Sequence, residues 1–188
     1  TLLDVGVAGS YAKYIAEHYA RKEKVAINRI VSTGVFFYFV FGVLLVSVGW
    51  ICIDQLVHGL ARLHPERAGE WADSAVMGNL RFLLRGSILL ICLANVFAAF
   101  AAVQTGLQRM DVTNIISVAA SLVKAGTIVF LVHAGWGIRA LLYGEYAGFL
   151  AFVIPSIGVS FAILPELRVS PRFVDRATLK RLVDFGWK

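Results

Sequence analysis

Charge is scarce in this sequence. Charged residues make up only 16% of its 188 residues, while hydrophobic residues make up 59%. A soluble domain sits near 45–50% apolar and about 25% charged. A water-soluble body of this length lacks the interior volume to hide so much apolar surface. Disordered chains are poor in hydrophobic residues, so disorder is excluded as well. Cysteine is scarce too: Cys52 and Cys92 make no disulfide framework, and they lie in apolar runs without metal-ligand spacing. The four histidines (His18, His58, His64 and His133) form no metalloprotease-type pair. There is no phosphate-binding P-loop, no nucleophile elbow, and no paired acidic motif of the kind a metal-dependent glycosyltransferase uses. No metal, no cofactor and no enzymatic activity is expected.

What the chain has instead is long apolar runs. Residues 31–53 carry no charge and include Phe36, Phe37, Phe39 and Phe41. Residues 86–106 are also charge-free, 113–133 contain only Lys124, and 138–164 contain Arg139 and Glu145 near their start and Pro155 well inside. About 20 apolar residues suffice to cross a hydrocarbon core of roughly 30 Å. A buried helix of a soluble protein would show a polar stripe, and barrel strands would alternate polar with apolar. The expected fold is therefore all-α, a polytopic transmembrane bundle of four complete spans. Residues 1–16 read as the end of a further helix.

The net charge of +6 is a topology signal rather than a nucleic-acid signal, because most of the basic residues lie outside the runs, at the two ends of the chain. Arg21, Lys22, Lys24, Arg29, Arg109, Arg168, Arg172, Arg176, Lys180, Arg181 and Lys188 fall on one side; Arg62, Arg67, Arg81, Arg85 and Arg139 fall on the other. The richer side is expected to be cytoplasmic. That makes 17–30 and 107–112 cytoplasmic loops, 54–85 an extracytoplasmic loop and helix entry, and 134–137 an extracytoplasmic turn. Residues 165–188 become a cytoplasmic amphipathic segment leading to another helix. Within it, Phe173, Ala177, Leu182 and Val183 share a face opposite Arg172, Arg176, Lys180 and Arg181, and Asp175 with Thr178 marks a helix start. Trp50, Trp71, Trp136, Tyr143 and Tyr146 fit an aromatic belt. The chain opens on Thr1 and runs out through Phe185-Gly186-Trp187, so a fragment is expected.

Ionisable groups inside spans are functional candidates. Lys124 lies too deep to reach the surface easily, which leaves a wet cavity, an ion pair with Glu145 the nearest acid, or a span placed out of register. Lys13, Arg85 and Arg139 divide between cavity roles and snorkelling. Asp4 and Glu145 are the acidic counterparts, as ion-pair or coupling groups. The surplus of cations suits an anion such as a phosphate or pyrophosphate. Gly144 and Gly148 form a G-x-x-x-G pair that permits close helix approach, and Pro155 bends its helix.

Several segments in order carry a family resemblance. They are Gly9-Ser10-Tyr11-Ala12-Lys13-Tyr14-Ile15-Ala16, the basic run 21–29, the phenylalanine-rich span, and Gly106-Leu107-Gln108-Arg109-Met110-Asp111 between two spans. The turn Gly135-Trp136-Gly137 and the stretch 173–182 complete the series. This order is similar to that of the polysaccharide transporter family, the O-antigen-type lipid-linked oligosaccharide flippases of the multidrug and polysaccharide exporter superfamily. The resemblance implies part of the N-terminal lobe of a two-lobed transporter with 12–14 helices in a bacterial or archaeal cytoplasmic membrane. It implies a substrate, an undecaprenyl-pyrophosphate-linked glycan, and partners in membrane lipids and the polymerase or ligase machinery. Lys13 and Lys124, then Arg85 and Arg139, would engage the pyrophosphate. A cation-coupled multidrug exporter, a membrane enzyme of polysaccharide synthesis and a scaffold domain remain as alternatives.

Overall fold

Hydrocarbon offers no partners to backbone N–H and C=O groups, so a chain this apolar satisfies them within helices. A computed structural model describes residues 7–63 and 74–180. Every regular element among them is helical: α1 (Val7–Ala20), α2 (Lys24–Leu63), α3 (Ser74–Gly106), α4 (Met110–His133), α5 (Arg139–Ile163) and a 3-10 turn, Pro171–Phe173. The chain is helical again over 176–180. The four helices α2 to α5 are each long and apolar enough to cross a membrane, with mean hydropathy between 1.9 and 2.4. Their outer faces are apolar as well: Ile51, Leu122, Phe130 and Ile154 are all at least 65% exposed. Soluble monomers rarely carry such continuous apolar surface, whereas acyl chains solvate it. The molecule is an all-α bundle of the multi-pass membrane type.

The helices overrun the charge-free spans. Helix α2 has 40 residues and takes in both 24–30 and 54–63, which hydropathy assigns to loops. Hydrogen bonding continues into polar flanks as long as nothing breaks it, so a helix end and the edge of an apolar run need not coincide. Helix α3 likewise starts at Ser74, well before the charge-free run at 86. The expected loops 17–30 and 54–85 are therefore mostly helical where described; residues 64–73 lie outside the described residues.

Three of the reversals are the same device. The N–H of Glu23 donates to the His18 carbonyl (2.9 Å) and that of Lys22 to Tyr19 (3.0 Å). Arg109 and Gln108 repeat the pattern onto Gln104 and Thr105 (2.9 and 3.0 Å), and Trp136 and Gly135 repeat it onto Leu131 and Val132 (both 3.1 Å). This paired closure needs one residue in the left-handed region. Gly135 fills that place at φ +82°, but Lys22 and Gln108 hold it at φ +59° and +57°. A side chain there costs about 1–2 kcal/mol. Gln108→Gly is thus expected to raise stability by about 1 kcal/mol, seen as a higher melting temperature in detergent. An unchanged or lower value would refute the strain.

Helix α3 is central, touching α1, α2, α4 and α5, while α2–α3 and α4–α5 are the most extensive pairs. The buried core sits at the end that holds the basic turns. It joins Tyr11 and Ile15 of α1, Ile27, Ile30, Val31 and Tyr38 of α2, Ala99, Phe100, Ala102 and Val103 of α3, and Leu164 and Leu167 beyond α5. Two buried polar groups lock α3 to α5 beside Pro155. The amide nitrogen of Gln104 donates to the Ser156 carbonyl (2.9 Å), and Ser160 Oγ lies 3.0 Å from the Phe100 carbonyl. Gln104 also accepts from Thr113 Oγ1 of α4 (2.8 Å).

The amphipathic segment expected at 165–188 begins without helix, over 165–170. It runs extended along α2. Lys24 pairs with Glu166 (2.5 Å), and Asn28 donates to the Glu166 carbonyl (3.1 Å) and accepts from the Arg168 N–H (3.0 Å). Ser32 repeats this with the Arg168 carbonyl (3.3 Å) and the Ser170 N–H (3.1 Å). The extended stretch needs outside partners for its backbone, and the polar stripe at the start of α2 supplies them. Phe173 therefore belongs to the 3-10 turn, and helix resumes only at 176; Leu182 and Val183 lie outside the described residues. The helix start at Asp175 is as expected: its carboxylate accepts from the N–H groups of Ala177 (3.3 Å) and Thr178 (3.2 Å) and from the Thr178 hydroxyl (2.9 Å).

Those bonds, the Thr178 hydroxyl first and then the Ala177 N–H, hold the Asp175 carboxyl below the ordinary aspartate range. Because the folded value is depressed, the cap contributes above the unfolded value, about 3.9, and is lost as pH falls through the folded one. The amide resonances of Ala177 and Thr178 should titrate with a midpoint below that of a free aspartate. A midpoint at or above it would contradict the cap.

Candidate functional site

The sequence candidates resolve into distinct places. Lys124 sits in the middle of α4, and Glu145 lies one and a half turns into α5. Their side chains form an ion pair, each partly exposed (40% and 46%). The close approach of α4 and α5 makes this meeting possible. A Cβ placed on Gly144 would stand 2.2 Å from Ile128 Cγ1, and one on Gly148 would stand 2.9 Å from Lys124 Cβ. The G-x-x-x-G pair thus faces α4 at the level of Lys124, and Glu145 follows immediately after Gly144. Mutual neutralisation makes two charges tolerable in a span where either alone would be expensive.

The pair borders an open groove of about 290 Å³. Helix α3 contributes Leu90 and Ala94, α4 contributes Ser117, Ala120 and Ser121, and α5 contributes Gly148, Phe149 and Phe152. Ser121 Oγ donates to the Ser117 carbonyl (2.8 Å). Lysine carries three donors, and a carboxylate about four acceptor sites. One mutual contact leaves most of them unused, and both side chains line the groove, so a polar ligand entering it would find a donor head and an acceptor head.

Arg85 is elsewhere. It lies 3.9 Å from the Asp54 carboxylate of α2, and the Arg81 guanidinium lies 2.9 Å from the same group. This two-arginine clamp on one carboxylate fastens α2 to α3. It borders a wider groove of about 540 Å³ with Trp50, Tyr143 and Tyr146. Asp54 was hidden from a sequence reading that ended its span at 53. Arg139 opens α5: its Nε donates to the Asn79 side-chain oxygen (2.8 Å), and its guanidinium lies 5.4 Å from the centre of the Phe82 ring. Lys13 is exposed on α1, its ammonium 5.8 Å from the centre of the Tyr14 ring. Asp4 lies outside the described residues.

The four cations therefore do not gather around a single cavity among the described residues. Two of them, Lys124 and Arg85, have carboxylates beside them, so the surplus of positive charge is smaller than the sequence count suggests. Ser117 and Ser121 were missed. Their spacing of three and seven residues from Lys124 puts them on its face of α4 and was the available signal. A smaller cavity of about 220 Å³ lies near the basic turns, lined by Tyr14, His18, Arg29 and Asp175 among others.

No protein-family model, no curated protein and no solved structure matches this chain.

Proposed function

We propose that the chain is part of a membrane flippase. In this reading it moves an undecaprenyl-pyrophosphate-linked oligosaccharide across a bacterial or archaeal cytoplasmic membrane by alternating access, for surface polysaccharide synthesis. The ordered sequence segments that resemble the polysaccharide transporter family motivate it. The observation that carries it is Lys124: an ammonium deep within a span, at the edge of an open groove and with donors to spare. A pyrophosphate competing with Glu145 would find a point charge and neighbouring serine hydroxyls. Basic turns on the cytoplasmic side, as the positive-inside rule expects, agree with a carrier loaded from that face.

Complementation tests the reading in the natural full-length protein. Lys124→Ala is expected to abolish export of surface polymer at normal expression, and Lys124→Arg to retain part of it. Normal export by Lys124→Ala would remove the assigned role. The Glu145 carboxylate beside Lys124 favours a second reading, a cation-coupled multidrug exporter of the same superfamily, in which that embedded acid serves coupling. A drug-efflux phenotype without any effect on surface polysaccharide would select it.

A further inference from the structure

Helix α4 shows two unlike faces to its surroundings. Val118, Leu122 and Val129 are 62%, 69% and 58% exposed and form an apolar strip suited to acyl chains. A separate strip, at steps of three and four residues, holds Asn114, Ser117, Ser121 and Lys124. The first three are exposed and the fourth is half-buried. Lipid solvates such a strip badly. Ser121 satisfies its donor on its own helix, but the Asn114 amide has no hydrogen-bond partner among the described residues, and Lys124 and Glu145 retain unused donors and acceptors. Each such group costs several kcal/mol in hydrocarbon unless water or protein meets it.

The strip also has a direction. It begins about 6 Å from the start of α4, at the end of the bundle with the basic turns, and reaches Lys124 about 21 Å along the helix axis. The far end of α4 is closer to Lys124, about 14 Å. That route passes one polar side chain, Thr127, a turn beyond Lys124, and is apolar after it, with Ile128 and Leu131 on α4 and Leu141 on α5.

We propose that the Asn114–Ser117–Ser121–Lys124 strip lines a one-sided aqueous path, which brings water from the basic end of the bundle to the Lys124–Glu145 pair and stops there. The path keeps the pair solvated inside the membrane and, in the conformation described, admits small hydrated solutes from one face only. It goes beyond the flippase reading and rests on the placement of α4 across a membrane, not on the cargo.

Thiol accessibility tests this path in the full-length protein, with Cys52 and Cys92 replaced by serine and single cysteines introduced at 114, 117, 121, 118, 122 and 128. The probe is a charged, membrane-impermeant methanethiosulfonate. Lys22→Cys, in the α1–α2 turn, marks the face on which the basic end lies. Only a thiol in contact with water ionises and reacts readily. Ser117→Cys and Ser121→Cys are expected to react about tenfold or more faster than Val118→Cys and Leu122→Cys, and only from the face that labels Lys22→Cys. Ile128→Cys is expected to stay unlabelled from that face. Labelling after denaturation in dodecyl sulfate confirms that each thiol is present, and wild-type-like expression confirms folding. Equal rates on the two strips, labelling from the opposite face, or silence at 117 and 121 caused by lipid or by a packed partner helix would each overturn the proposal.

Discussion

Gly144→Leu with Gly148→Leu is expected to force α4 and α5 apart and to destabilise the bundle by about 3 kcal/mol or more, since overpacking costs about 1–3 kcal/mol at each site. A Cβ at either glycine already meets the partner helix below 3.0 Å. The atoms it meets at Gly148 include Lys124 Cβ and, at 3.4 Å, the Ala120 carbonyl, which lie too close to the backbone to swing away. Gly126 and Gly158, on the same two helices, have open space where a Cβ would go. Leucine there should be neutral or raise stability by up to about 1 kcal/mol, since it meets nothing and removes glycine's helix penalty. Unfolding in dodecyl sulfate, followed by helical circular dichroism, distinguishes the two pairs. Similar losses from both would mean that the α4–α5 contact is not the close one described. The double variant should also lose the Lys124–Glu145 contact, because the crossing that brings the two side chains together would be gone.

The second large effect concerns that ion pair directly. Glu145→Ala strands an ammonium within the span, and Lys124→Ala strands a carboxylate. Breaking a buried pair on one side costs about 3–5 kcal/mol. Exposure near 40–46% lets solvent soften the loss, so each single change is expected to cost about 2 kcal/mol. Lys124→Ala with Glu145→Ala removes both charges and should cost less than the sum of the two, with a coupling of about 1–2 kcal/mol. Stability in detergent, measured over the four-member cycle, gives the value. Strict additivity would show that the two side chains stand near each other without depending on each other.

How much of this was legible in the sequence depended on where hydropathy changes sharply. The four spans were legible because their apolar runs exceed the membrane thickness. Their true ends were not, because residues such as Lys24, Arg29 and Arg81 lower the hydropathy while being good helix formers, so the apolar run stops before the helix does. This concealed Asp54 as the acidic partner of Arg81 and Arg85. The meeting of Lys124 with Glu145 was readable as one of three alternatives, since both were embedded and the G-x-x-x-G pair flanked Glu145. Ser117 and Ser121 escaped notice because single serines cost little in a membrane helix, and only their shared face makes them a strip. The left-handed residues Lys22 and Gln108 were invisible for a different reason: glycine usually announces such a turn, and here it is absent. The extended strap at 167–170 was covered only by the general expectation of an amphipathic segment over 165–188, although its alternation of polar and apolar residues has the period of extended chain. Asn28 and Ser32, four residues apart on α2, were the clue to it.

That strap and α2 act as two rulers with slightly different graduations. Four residues of helix advance about 6.0 Å, and two residues of extended chain about 6.6 Å. The difference of about 0.6 Å per rung is small enough for Lys24, Asn28 and Ser32 to stay in phase with residues 166–170. It accumulates, so after about five rungs the marks would be half a graduation out of step. The alignment is therefore self-limiting. The 3-10 turn at Pro171–Phe173 comes before the drift matters, and Thr33 then takes the N–H of Asp175 (3.1 Å), so that one residue of helix answers to five of strap. Inserting a single residue after 167 would turn every later carbonyl away from its rung, whereas a two-residue insertion there would shift the strap by one whole mark and restore the match beyond it.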